Sequence, residues 1–422
     1  MIILVIGNGF DLAHGLPTKY TDFLKFAMVM HQVVDRGVPN DRIDYGKLTP
    51  AIVDLLKQNM HTLNMAEWKD LIYENLWIKY FLRNPMYAKE NWIDFESEIS
   101  KVIKQLDYDM FSTEGERCEL TDVILNLSND FLAQIYSRYT LTVQSINTLT
   151  SEKCESITFR EIRDRLYDDL NKLTRALELY LTDFVEKIKC NLISPDIEII
   201  TKRIIELNED HRGVIFSNVL SFNYTNTYER VYLNNKSLEK NIDYIHGKAD
   251  SGHSIETNNM VLGIDEYLLD NRKNRDVEFI AFKKFFQRIY KGTGCKYKEW
   301  VDKIIEDASH YEGANKITLQ RAVSGTMHRP GIIPNISKHI HYLYIFGHSL
   351  DVTDRDILRD LILNDNVYTT IYYLNKDIMR QQIANLVKVI GQDELIRRTG
   401  GSTKTIEFKL QQDMVEKNPA FA

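Results

Sequence analysis

Five polar residues each stand just after a short run of β-branched and aromatic residues: Asn223 after VLSF, His246 after IDYI, Asp265 after NMVLGI, Ser349 after YLYIFGH and Asn375 after TTIYYL. In a parallel sheet, ligands bind outside the carboxyl ends of the strands, so these residues are expected to share one edge. A histidine there is a candidate general base, and an asparagine can orient a sugar or a water. Each has a plainer use. His246 could be bonded to backbone at a strand end, Asn223 could shape a turn, and Ser349 or Asp351 could cap a helix. What points to a site is the whole set, in chain order and always at a strand end.

The N-terminus adds a second signal. The unbroken apolar run MIILVI at residues 1–6 suits a strand buried on both faces, and GNGFDLAHGLP follows at once. A glycine pair after such a strand lets the backbone turn sharply and opens its N–H groups, and the next helix start, to a phosphate. Gly7, Asn8, Gly9, Phe10, Asp11 and Pro17 are therefore expected to bind a nucleotide, with Gly347 and His348 of the later turn. A tight turn that binds nothing would carry the same glycines. The spacing also differs from the common dinucleotide fingerprint, since the third glycine, Gly15, comes eight residues after Gly7.

These residues need a scaffold, and the texture of the chain supplies one. Runs such as EWKDLIYENLWIKYFL and DRLYDDLNKLTRALELYLTDFVEKI place apolar residues three and four apart, which predicts helices over residues 24–210. From about residue 214, short runs (VIFSNVLSFN, NIDYIH, NMVLGI, HYLYIF, VYTTIYYL, TIEFK) predict six or seven strands together with residues 1–6. The expected architecture is α/β: a parallel sheet from residues 1–23 and 211–422, its first strand central, with residues 24–210 as a large helical insertion.

Composition narrows the class. With 422 residues, 44% of them hydrophobic and 27% charged, the chain is long enough for a sizeable core and more than one sheet domain. A net charge of −7 argues against nucleic acid as the main partner, though it leaves room for a local basic patch. Cys118, Cys154, Cys190 and Cys295 form no CxxC pair, so no metal is expected and the thiols are expected to be reduced in a cytoplasmic protein. No membrane contact is expected. Glu96 is a candidate carboxylate from a lidding helix or part of a solvated helix face. The stretch from Arg272 to Lys298, interleaved with Phe279, Phe282, Phe285 and Phe286, is expected to be a helix with a charged outer face, or a contact for the phosphates of a ligand or for a nucleic-acid trigger.

The pattern Gly7-x-Gly9, five residues, Gly15-x-Pro17 resembles the opening motif of the sirtuins. So do Asn223, then His246 before Gly247, then Gly347-x-Ser349-Leu350-x-Val352, then Leu374-Asn375. Within that superfamily, GNGFDLAHGLPTKY with NWIDFE, FNYT, HGKAD, LGIDE and FGHSLDVTD identifies the chain as a member of the AbiH-type phage abortive infection proteins. The resemblance implies a sirtuin-like Rossmann-type sheet and an effector that binds NAD and cleaves it to nicotinamide and an ADP-ribose product. It makes His246 the base, Asn223 the group positioning ribose and water, Gly7, Gly9 and Ser349 the pyrophosphate site, and Asn375 the contact to the adenosine ribose.

Three positions depart from the sirtuin pattern: Asp11 replaces a serine, Tyr20 an arginine, and Thr225 the aspartate that meets the nicotinamide amide. Asp11 or Asp265 is a candidate substitute for that carboxylate. The implied partners are NAD, a phage-derived trigger, a protein of the same defence system and a second copy of the chain. A non-catalytic nucleotide sensor or interaction module is the alternative function. A nuclease ranks last, for want of a metal-carboxylate cluster.

Overall fold

The computed structural model describes residues 1–36, 43–84, 93–115, 131–132, 140–141, 156–157, 159–210, 217–233, 241–269, 271–323 and 340–417. Contacts group the chain into two compact units. One comprises Met1–Leu16, Lys189–Lys248 and Thr293–Ala422, the other Pro17–Ile188 and Ala249–Gly292.

The first unit holds the sheet. Its strands are β1 (Ile2–Ile6), β2 (Ser217–Ser221), β3 (Ile242–Tyr244), β4 (His341–Phe346), β5 (Val367–Tyr373) and β6 (Ile406–Leu410). They lie side by side in the order β3-β2-β1-β4-β5-β6, every neighbouring pair parallel. This is the doubly wound Rossmann-type order, and it reverses direction between β1 and β4. The first strand is interior, as its unbroken apolar run requires.

The unit's helices are α1 (Asn8–Ala13), α2 (Pro195–Asp210), α3 (Thr227–Tyr232), α4 (Tyr297–Val323), α5 (Arg355–Ile362), α6 (Lys376–Ile390) and α7 (Gln392–Thr399). Alternate residues of β1 feed two cores. Ile3 and Val5 pack with Leu343, Ile345, Ile357 and Leu386, while Ile2, Leu4 and Ile6 pack with Phe10, Ile197, Ile200 and Tyr228. Burial on both faces is why the run shows no polar alternation.

The second unit is mainly helical. Its long helix Phe159–Asp183 buries Leu166, Leu170, Leu173, Leu177 and Tyr180, and aromatic contacts join Phe26 to Trp68, Tyr180 and Phe184. Glu178 is fully buried on this helix. Its carboxylate accepts from Arg175 Nη1 at 2.7 Å, the backbone N–H of Asp250 at 3.1 Å, His253 Nδ1 at 2.7 Å, and Asn258 Nδ2. This network ties residues 249–258 to the helix.

Two sequence expectations need correction here. NMVLGI is not a sheet strand: among its residues only Ile264 makes an isolated bridge, to Lys283, and the run belongs to the second unit. Met260, Val261 and Leu262 are buried, and the side-chain amide of Gln287 stands in for a neighbouring strand. It accepts from the Leu262 N–H and donates to the Leu262 carbonyl, both at 3.1 Å. A short apolar run shows only that it is buried.

The helix Lys284–Lys291 is the second correction, because its charges do not form the outer face. Lys284 and Arg288 are buried while Phe285, Ile289 and Tyr290 are exposed. Lys284 pairs with Glu96 at 2.7 Å, and the preceding Lys283 pairs with Glu266 at 2.8 Å, so ion pairs draw the cations inward.

Cys190 and Cys295 are free thiols, and Cys118 and Cys154 lie outside the described residues. Among the described residues no helix is long and apolar enough to cross a membrane. Nor do they contain a group of three or more His, Cys, Asp or Glu that could hold a metal ion.

Candidate functional site

The order reversal between β1 and β4 puts the ligand crevice of such a sheet at the carboxyl ends of these two strands. There the two following turns interlock backbone to backbone. The Gly7 N–H donates to Phe346 O at 3.1 Å and the Gly9 N–H to Gly347 O at 2.8 Å. A Cβ on Gly9 would lie 2.8 Å from Gly347 Cα, and one on Gly347, where φ is +69°, would lie 2.2 Å from Phe10 N. Glycine is needed because no side chain fits the crossing. Leu350, in the same β4 turn, also has a positive φ of 58°. The amides of Gly7 and Gly9 are thus engaged by protein carbonyls.

Two sets of polar side chains flank this crossing. The first centres on Asp11, 1% exposed, whose Oδ2 accepts from Thr225 Oγ1 at 2.7 Å; Thr225 in turn meets Thr227 Oγ1 at 3.0 Å. Two of the three positions that depart from the sirtuin pattern, Asp11 and Thr225, are therefore bonded to each other. Asp11 Oδ1 and Asn223 Nδ2 are both buried without a hydrogen-bond partner. Asn223 lies near enough to favour the ionised carboxyl, yet the geometry falls short of a hydrogen bond between these two atoms.

Burial pushes the Asp11 carboxyl up from 3.8 to about 6, against the opposing pull of Thr225, Thr227, Arg230 and Asn223. A carboxyl with a raised folded pKa favours folding fully below its unfolded pKa and loses that contribution as pH rises through the folded one. Asp11→Asn is accordingly expected to be more stable than the natural protein at pH 8, by about 2–3 kcal/mol, and equal to it near pH 4. Urea unfolding at the two pH values checks this, and a pH-independent difference would refute it.

The second set is His246, Asp354 and His348. His246 Nε2 lies 3.2 Å from Asp354 Oδ1, and His348 Nε2 lies 3.4 Å from Asp354 Oδ2. His348 Nδ1 accepts the Leu350 N–H at 2.9 Å, so in the neutral ring Nε2 carries the hydrogen and faces the carboxylate. His246 likewise turns Nε2 to Asp354, and with the hydrogen on Nε2 its Nδ1 is the basic nitrogen. Phe222 packs edge-on against both rings, at 4.3 Å from His348 and 5.5 Å from His246. Gln382 Nε2 holds the turn by donating to His348 O at 3.1 Å and Tyr372 O at 3.2 Å.

The end of β2 links the sets. Phe222 turns its ring to the two histidines, and Tyr224 lies 6.4 Å from His246, while Thr225 bonds Asp11. Behind Asp11, His14 bridges Phe10 O at 2.7 Å and Tyr232 OH at 2.9 Å, and burial lowers its pKa.

Ser349 is exposed, and its carbonyl accepts from Asn385 Nδ2 at 3.0 Å. Asn375 caps α6, its Oδ1 taking the N–H groups of Asp377 and Ile378 at 3.1 and 3.0 Å. Asp351 caps the short turn Val352–Asp354. Asn8 opens α1.

Pro17, Tyr20, Glu96 and Asp265 belong to the second unit. There Pro17 O accepts from Tyr180 OH at 2.8 Å, Tyr20 stacks on Phe95 at 4.2 Å, and Asp265 Oδ1 accepts the Glu266 N–H at 2.8 Å.

Asp354 was missed in the sequence reading. Its one signal was its place in GHSLDVTD, and which carboxylate of that segment turns back to the histidines is a matter of loop geometry.

A family model, bacteriophage abortive infection AbiH, matches residues 3–374. The chain belongs to this family. The AbiH match runs through both units and includes Asp11, Asn223, Thr225, His246, His348 and Asp354; Asn375 lies one residue beyond it. Membership assigns the chain a role in bacteriophage abortive infection. No curated protein and no solved structure matches the chain.

Proposed function

We propose that this AbiH-family chain acts in abortive infection by hydrolysing NAD to nicotinamide and ADP-ribose. The observation that carries the reading is the pair of buried, unpartnered polar atoms, Asp11 Oδ1 and Asn223 Nδ2, at the carboxyl edge beside the point where strand order reverses. A buried acceptor and donor without partners are costly unless a ligand satisfies them. In this reading Asp11 Oδ1 accepts from the nicotinamide carboxamide and Asn223 Nδ2 donates to a ribose oxygen. Asp11 thus takes the role that the resemblance gives to an aspartate at position 225.

In the reaction the bond between nicotinamide and the ribose C1′ breaks, and its electron pair leaves with the ring nitrogen. Water attacks C1′, and its proton passes to His246 Nδ1. Asp354 holds His246 in the tautomer that can accept this proton and stabilises the imidazolium that results. NAD must span both polar sets, with the crossing of the turns beneath it.

The departures at Thr225 and Tyr20 from the sirtuin pattern favour a nucleotide sensor instead. The purified full chain, incubated with NAD with and without lysate of phage-infected cells, distinguishes the two. Nicotinamide release, followed by chromatography, is expected at least in the lysate arm. NAD binding without release in either arm would select the sensor, and neither binding nor release would overturn both readings.

A further inference from the structure

We propose that the open half of one sheet face, beside α2, is a stacking platform for single-stranded nucleic acid. On this face Ile197, Ile200 and Ile204 of α2 cover Ile2 and Leu4 of β1. In register with Ile2 and Leu4 stand Tyr342 and Tyr344 of β4, and beside these Tyr368 and Thr370 of β5. The opposite face of β4 and β5 is aliphatic and buried, with Leu343, Ile345, Val367 and Ile371. A cleft of about 490 Å³ opens between α2 and strands β4, β5 and β6, lined by Tyr342, Tyr344, Tyr368, Tyr372, Arg203 and Lys404 among others. That volume suits one or two nucleotides.

Tyrosines on an open sheet face could serve only to meet water, but Arg203 lies over one of the exposed rings and Lys404 and Lys409 line the same cleft. Tyr342 and Tyr368 are 39% and 40% exposed, with ring centroids 6.5 Å apart. The Arg203 guanidinium lies 5.8 Å over the Tyr342 ring and donates to Tyr344 OH at 2.9 Å, and Lys409 lies 5.3 Å over Tyr372. The two acids of the cleft are engaged. Asp196 is held by Lys409 and by Gln412, the latter at 2.7 and 2.9 Å, and Glu407 accepts from Thr370 Oγ1 at 3.0 Å.

Exposed aromatic planes flanked by cations suit unpaired bases with their phosphates alongside. A duplex buries its base faces and offers them nothing to stack on. Arg203, Lys404 and Lys409 are the cations that line the cleft, so two or three phosphates are engaged and the salt dependence is shallow. The platform is separate from the carboxyl-edge site and does not depend on NAD cleavage.

Fluorescence anisotropy of labelled oligo-dT and oligo-rU, each of about twelve nucleotides, with the full-length protein tests the proposal. Micromolar binding is expected, with a duplex of the same length at least about tenfold weaker. Combining Tyr342→Ala with Tyr368→Ala should weaken single-strand binding about tenfold or more, while Tyr342→Phe with Tyr368→Phe keeps it, since phenylalanine retains the ring. Arg203→Gln should weaken binding and flatten its salt dependence. No single-strand binding below about 100 μM, a duplex bound as tightly, or loss of binding in the phenylalanine variant with its melting temperature unchanged would each overturn the proposal.

Discussion

Replacing His246 by alanine is expected to lower NAD hydrolysis by about 10²–10⁴-fold and to remove phage protection, with the protein still folded. His246 is 5% exposed, and Asp354 orients its ring. Losing the imidazole takes away the acceptor that the proposed reaction needs for the water proton, and one of the two rings that face the Asp354 carboxylate. Asn223→Ala is expected to act in the same direction, because a base is of little use on a misplaced sugar. The double variant should therefore be scarcely worse than either single one, as for groups that act as a unit.

The measurements are nicotinamide release by the purified variants, cellular NAD after phage challenge, and circular dichroism to establish folding. Asp354→Asn separates positioning from proton transfer. It should flatten the pH dependence of the reaction by disturbing the tautomer, and leave the KM for NAD nearly unchanged. Protection retained by the His246→Ala variant would remove the hydrolase reading.

Gly347→Ala is expected to destabilise the protein by more than about 4 kcal/mol, enough to prevent recovery of folded material. Two effects add. A φ of +69° is unfavourable for any side chain, and a Cβ there would lie 2.2 Å from Phe10 N and 2.6 Å from Gly9 C. Both contacts are backbone, so no rotamer change relieves them, and the crossing of the β1 and β4 turns would have to open. Gly292→Ala is the matched control. With φ +63° but nothing within 4 Å, it should lose only about 1 kcal/mol. Urea unfolding of both variants decides the matter, and a natural midpoint for Gly347→Ala would show that the turns do not interlock as described.

Much of the scaffold was legible because burial leaves a mark on composition. Residues 1–6 read as a doubly buried strand, and β1 is one, interior to a parallel sheet whose other strands also followed their apolar runs. NMVLGI was misread because a short apolar run does not reveal what it packs against; in the fold it meets a glutamine side chain and not a strand. The helix Lys284–Lys291 was misread because an ion pair between Lys284 and Glu96, 188 positions apart, can reverse the usual placement of charge.

The α/β class, the family and the strand ends before Asn223, His246, Ser349 and Asn375 were readable in the chain itself. All of these rest on local patterns of burial, turn glycines and spacing. Only the tertiary structure decided that Asp11 meets Thr225, 214 positions away, and that His246 and His348 share Asp354. It also decided that Tyr342 and Tyr368 stay exposed on the sheet beside α2. Such relations depend on strand order and loop path. Those are selected by the packing of the whole unit, and no window of the sequence contains them.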